Sequence, residues 1–145
     1  MYRKIVLAYD GSEAGQKALL DSQDIGQWSQ SEIVLVAVIP NPVTSIAAEM
    51  WAYSPAADEA ERRHTEGVLS AGVQRLNDAG LPARGVALTG VAVDEIVKLA
   101  AEERADLIVV GHKHRSSWAE RWWRGSVSQA LIEEAPCSVL VVITP

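Results

Sequence analysis

A rhythm in the chain limits its fold more than any other feature: short, almost unbroken apolar runs alternate with longer stretches of helical periodicity. The runs are residues 4–9 (KIVLAY), Ile33–Ile39 (IVLVAVI), the weaker Arg84–Thr89, Asp106–Val110 and Ser138–Ile143 (SVLVVI). A strand with one wet face alternates apolar and polar residues, whereas a run like Ile33–Ile39 reads as buried on both faces, as in a parallel sheet. Between the runs, Ala14, Ala18, Leu19, Ser22 and Ile25 recur at helical spacing from Glu13 to about Gln27, with Ser12 as the expected N-cap. A second helix is expected over Ala56–Ala79, stopped by Gly80-Leu81-Pro82, and a third over Val93–Arg104, whose Val93, Ile96, Val97 and Ala100 share one side. Val127–Glu134 completes the set. The order β-α-β-α-β-α-β-α-β, with crossovers long enough for right-handed parallel connections, predicts an α/β fold: a single-domain open five-stranded parallel sheet with helices on both faces.

Composition narrows the function classes. A chain of 145 residues fits one domain, residues 1–145, with no repeat or linker. No apolar run approaches the ~18 residues of a membrane span, and MYRKIVLAYDGS lacks a signal-peptide profile. Cys137 is the only cysteine, which rules out an internal disulfide and makes a reducing cytoplasm the simplest location. The net charge of −6 argues against general nucleic-acid binding, which needs a basic surface.

The stretch from Leu107 to Val127 looks most like a ligand site. An apolar run stops at Gly111, a basic and aromatic loop follows, and Gly125-Ser126 opens the last helix. Glycines let backbone approach a ligand, and the free N–H groups of a helix's first turn point at an anion. In open α/β sheets, ligands bind beyond the carboxyl ends of the strands, where the strand order reverses. For the order 3-2-1-4-5 that reversal lies between the first and fourth strands, whose expected carboxyl ends are Asp10, followed by Gly11, and Gly111.

KIVLAYDGS, Gly90-x-x-x-Asp94-Glu95-Ile96, DLIVVGH and GSVSQALIEEAPCSVLVV together resemble the universal stress protein (UspA-type) family over nearly the full length. The resemblance implies a Rossmann-like sheet in the order 3-2-1-4-5, a cytoplasmic stress-response role and usually a homodimer. One branch of that family binds ATP and the other does not. The ATP-binding branch carries G-x2-G-x9-G-[ST] after the fourth strand; Gly111 matches the first glycine and Gly125-Ser126 the final pair. His114 takes the place of the second glycine, and the loop is one residue longer than the pattern. By resemblance, Asp10 faces the ribose, Val38 borders the adenine, and Gly111, Gly125, Ser126 and Val127 meet phosphate or sugar, with ATP and Mg²⁺ as the implied ligands. The histidine after Gly111 and a tryptophan in the loop resemble the branch that does not bind ATP.

Forcing a non-glycine residue to positive φ costs about 1–2 kcal/mol, and each ~1.4 kcal/mol is tenfold in affinity. Strain at His114 alone therefore weakens nucleotide binding without abolishing it. Lys113, His114, Arg115, Arg121 and Arg124 offer compensation by pairing with phosphates.

Plainer roles fit several of these residues. Asp10 could serve only to cap the first helix with Ser12, Gly111 could be a backbone necessity, and Ser126 could be an ordinary N-cap. His112 and His114 flank Lys113 while His64 lies far away in a helix, so no metal site is expected. Cys137 reads as a packed thiol. Trp118, Trp122 and Trp123 among Arg115, Arg121 and Arg124 either fold onto the domain or present a contact surface, through residues 112–124, to a regulatory protein partner. Trp51 and Tyr53 either cover the crevice or pack on a partner. No nucleophile elbow or metalloprotease spacing points to catalysis, although slow ATP hydrolysis stays open. Two functions thus compete: a cytoplasmic regulatory binder of adenine nucleotide, and a nucleotide-free interaction protein that dimerises along the apolar fifth strand.

Overall fold

The computed structural model describes residues 1–40, 55–113 and 127–144, with backbone alone at Pro55 and Lys113. Its elements follow the expected order. They are β1 (Lys4–Ala8), α1 (Glu13–Ser29), β2 (Glu32–Ile39), α2 (Pro55–Asp78), β3 (Ala83–Thr89), α3 (Ala92–Glu102), β4 (Leu107–Lys113), α4 (residues 127–134) and β5 (Ser138–Thr144). All five strands are parallel in the order β3-β2-β1-β4-β5. His114, Gly125, Ser126, the tryptophans and arginines between them, and Trp51 and Tyr53 lie outside the described residues.

The unbroken apolar runs find their cause in the two sheet faces. Successive side chains of a strand point to opposite sides. Ile5, Leu7, Ile33, Leu35 and Val109 pack under α1 and α2 against Leu19, Leu69 and Leu76. Val6, Val34, Val36, Ile108 and Val110 pack on the other face against Ile96, Leu99 and Ala100 of α3 and Leu131 of α4. Over Ile5–Leu7, Ile33–Ala37 and Leu107–Val110 neither face of the three central strands meets water, which leaves no place there for a polar side chain.

Most boundaries shift by one to three residues from the sequence expectation, and two of the shifts have a visible cause. Helix α1 runs on to Ser29 because Gln30 adopts the left-handed conformation (φ 54°, ψ 51°) and donates its N–H to the Gly26 carbonyl. A glycine normally marks such a stop, and none stands there. Strand β4 does not end at Gly111. It continues to Lys113 because β5 still pairs with it, Gly111 opposite Val142 and His112 opposite Ile143, after β1 has parted at Ala8 and Val110.

The amino ends of the strands are tied by charge. The Asp106 carboxylate accepts from the Arg3 and Lys4 backbone N–H groups at 2.9 and 3.0 Å. Glu103 accepts from the Lys4 ammonium at 3.2 Å and also bonds Arg84, linking α3 to β1 and β3.

Candidate functional site

Where β1 leaves the sheet, Tyr9 stays buried and donates its backbone N–H to the Val36 carbonyl at 2.8 Å. Burial pushes the Tyr9 phenol above its ordinary value; the nearby Asp10 charge adds to this, while Arg75 and a hydrogen bond with Gln16 oppose it. The next residue, Asp10, organises the turn. Its Oδ1 accepts from the Ser12 N–H at 2.9 Å and the Ser12 hydroxyl at 2.6 Å, and Ser12 Oγ accepts from the Gly15 N–H at 3.1 Å. Ser12 is therefore the N-cap of α1, with φ −65° and ψ 168°. Among the described residues all of Asp10's side-chain hydrogen bonds fall on Oδ1, which leaves Oδ2 at an exposed position. Gly11 has φ +77°, and a β-carbon there would stand 2.9 Å from Val68 Cγ1. Glycine is required twice over.

Gly111 answers to packing as well. A β-carbon on it would lie 2.4 Å from the Ala14 carbonyl oxygen and 3.0 Å from the Gly15 nitrogen. Its lack of a side chain is what allows β4 to pass directly beneath the first turn of α1, with or without a ligand.

As β1 and β4 part, a crevice of about 730 Å³ opens across the carboxyl edge of the sheet. Its floor is Ala37, Val38 and Ile39 of β2 with Val110 and Gly111 of β4. Asp10 and Glu13 stand at the start of α1 and Ala92 at the start of α3, and α4 contributes Val127 and Ser128. The positive ends of the α1 and α3 dipoles thus meet in the crevice. Of the residues expected there, Asp10, Val38, Gly111 and Val127 come together. Gly11 lies in the supporting turn against Val68 and not on the lining. Lys113 is placed by its backbone, opposite Thr144.

One wall was missed. Glu61, His64, Thr65 and Val68 of α2 line the crevice at i, i+3, i+4 and i+7. His64 is therefore not remote from His112, since both line the same cavity. The spacing was visible, but α2 is polar around much of its circumference, and only tertiary packing decides which stripe faces inward. Among the described residues, no group of three histidine, cysteine or acidic side chains is arranged to hold a metal.

Fold and crevice define a class: a Rossmann-like α/β protein with a ligand-sized opening where its strand order reverses. Residues 1–142 match the sequence model of the Universal stress protein family, and the chain belongs to that family. A universal stress protein of Methanocaldococcus jannaschii is 30% identical over 100% of this chain and 84% of the relative. Among solved structures, a universal stress protein in complex with cAMP is similar with a TM-score of 0.71 and 25% identity, covering 99% of this chain and 98% of the other. A further one from Archaeoglobus fulgidus, in complex with dAMP, has a TM-score of 0.66 at 19% identity, with 98% of each chain covered. The expected family and the strand order 3-2-1-4-5 are both found.

Proposed function

We propose that this universal stress protein is a regulatory binder of adenine nucleotide, with the ligand seated between Asp10 and Gly111. The observation that carries the proposal is the crevice itself. Its volume, about 730 Å³, falls in the range of about 300–1,000 Å³ typical of ligand clefts, and it pairs an apolar floor with a carboxylate and two helix N-termini. Asp10 Oδ2 accepts from the ribose hydroxyls, while Ser12 holds the carboxylate through Oδ1 and Gly11 shapes the turn. Val38 packs on the base. Gly111 and Val127, with Gly125 and Ser126, approach sugar and phosphate, and Lys113 and His114 pair with the phosphates. ATP with Mg²⁺ is the proposed ligand; bound cAMP and dAMP in two similar proteins support its adenosine portion. When bound, the nucleotide supplies charge and bulk that favour one arrangement of residues 112–124, which a protein partner reads.

The proposal treats residues 1–145 as one cytoplasmic unit without turnover as its purpose, and without nucleic acid or membrane as partner. No helix among the described residues is long and apolar enough to cross a membrane. Calorimetry with Mg-ATP and AMP tests the binding. Asp10→Asn keeps an acceptor for Ser12 but loses the charged acceptor for ribose, and should weaken binding by about tenfold. Absence of heat at millimolar nucleotide, in protein shown to be folded, overturns the proposal.

A specific observation favours the second function, a homodimer that captures partners without nucleotide. β5 is an edge strand on which Ile143 is 57% exposed, and Ile132 of the neighbouring α4 is 63% exposed. A second copy laid along β5 would cover both. Light scattering should give twice the chain mass at micromolar concentration and a single mass for Ile143→Lys. A single mass for the parent protein removes the dimer.

A further inference from the structure

The charge of the crevice is lopsided. The carboxylates of Asp10, Glu13 and Glu61 line it, and among the described lining residues there is no lysine or arginine. The side chains there that can become cationic are His64 of α2 and His112 of β4. The whole chain has three histidines, and two of them stand on this one surface from different walls. Apart from these groups, the described residues that line the crevice are uncharged. β2 contributes Ala37, Val38 and Ile39, α3 contributes Ala92 and Ile96, and α4 contributes Val127 and Ser128, while β5 sets Ile143 opposite His112. On its own helix His64 has Glu61 one turn earlier, and at the start of α1 Glu13 shares the lining with His112.

Imidazole is the side chain whose ordinary titration falls between about pH 5 and 8. With both histidines neutral, no described lining side chain offsets the three carboxylates. With both protonated, the described lining keeps one net negative charge and offers a phosphate a cation from each of two walls. We infer that His64 and His112 are anion-pairing groups of this crevice, alongside the Lys113 and His114 of the functional proposal, and that the affinity for an adenylate rises as they protonate. Ligand occupancy then reports pH. The inference rests on the nucleotide proposal above, and it deepens that proposal by naming the charged contacts and their control.

A unit charge gained in a water-open cleft changes the affinity for a monoanion by about threefold, so two approach tenfold at full protonation. Cyclic AMP is a suitable probe, because its phosphodiester keeps one negative charge throughout this range, and adenosine is the uncharged control. Calorimetry at about pH 6 and about pH 8 should show cAMP binding roughly fivefold tighter at the lower pH. Adenosine should change by less than about twofold. Titrations in buffers of different ionisation enthalpy should show proton uptake with cAMP alone. His64→Gln, at an exposed position, and His112→Gln, at a half-buried one, both checked for folding by circular dichroism, should each reduce the pH dependence, and the double variant should lose most of it. The inference is overturned if cAMP and adenosine share one pH profile or if the double variant keeps the parent's dependence. Binding of adenosine without cAMP at either pH also overturns it, yet leaves the nucleoside half of the functional proposal standing. Binding of neither ligand removes both.

Discussion

Replacing Gly111 by alanine places a methyl carbon 2.4 Å from the Ala14 carbonyl oxygen, 2.6 Å from its carbon and 3.0 Å from the Gly15 nitrogen. Non-bonded carbon contacts are comfortable at about 3.5–4.0 Å, so the first of these must open by about an ångström. No rotamer relieves it, because every atom involved is backbone. Either α1 lifts its first turn, straining the Ser12–Gly15 cap, or β4 shifts against β5. Overpacking of this kind costs about 1–3 kcal/mol, with the upper part expected where backbone must move. Restricting the unfolded chain returns about 0.4–1 kcal/mol. The net is a loss of about 2 kcal/mol, and at roughly 2–4 °C per kcal/mol for a chain near this size the melting temperature should fall by about 4–8 °C. Gly67→Ala is the control: that glycine sits exposed in α2 with nothing within 4 Å of a β-carbon, so alanine should add about 0.5–1 kcal/mol. Thermal and urea melts followed by circular dichroism, with no nucleotide present, provide the assay. If Gly111→Ala melts within about 2 °C of the parent, the packing account of this glycine is wrong.

Other consequences are open to the same instruments. Ser12→Ala removes the acceptor for the Gly15 N–H and should cost about 1 kcal/mol in urea unfolding; a change below a few tenths would mean that Ser12 does not cap α1 in solution. Hydrogen bonds from Arg84 and Lys4 hold the Glu103 carboxyl below the usual carboxylate range. Its contribution to stability is therefore complete above the ordinary glutamate value near pH ~4.3 and disappears as pH falls through the lower folded value. Glu103→Gln should accordingly flatten the acid limb of the stability curve below about pH 4, by a modest amount at so accessible a site; an unchanged limb refutes the linkage. Burial, with the Asp106 charge adding to it, pushes the Cys137 thiol up. An aromatic disulfide reagent at neutral pH should label it much more slowly in native protein than in urea, and equal rates would contradict its burial.

Much of the fold was legible because two-sided burial leaves a mark on sequence. Val34–Val36 and Ile108–Val110 cannot tolerate polar residues on either face, so their runs announce central strands. The errors arose where pairing or conformation is decided elsewhere. β4 outlasts Gly111 because β5, about thirty residues later, still offers partners, and α1 outlasts Gln27 because Gln30 accepts a left-handed backbone without glycine's signature. In the crevice, Asp10 and Gly111 were legible from their place at strand ends, but only coordinates reveal the packing duty each carries: Asp10 braces Ser12, and Gly111 yields to Ala14. The wall of Glu61, His64 and Thr65 stayed hidden because α2 carries polar residues on several stripes and the sequence does not rank them.

The most direct test of the account is a titration of isotopically labelled protein with AMP, read by amide chemical shifts. Binding at the reversal of strand order predicts saturable shifts that cluster at Asp10–Gly15, Val36–Ile39, Glu61–Val68, His112 and Val127–Ser128. Shifts confined to the separate groove of about 650 Å³ between α2 and β3, around Leu69, Val73 and Gly85, would contradict it, as would a spectrum that AMP leaves unmoved.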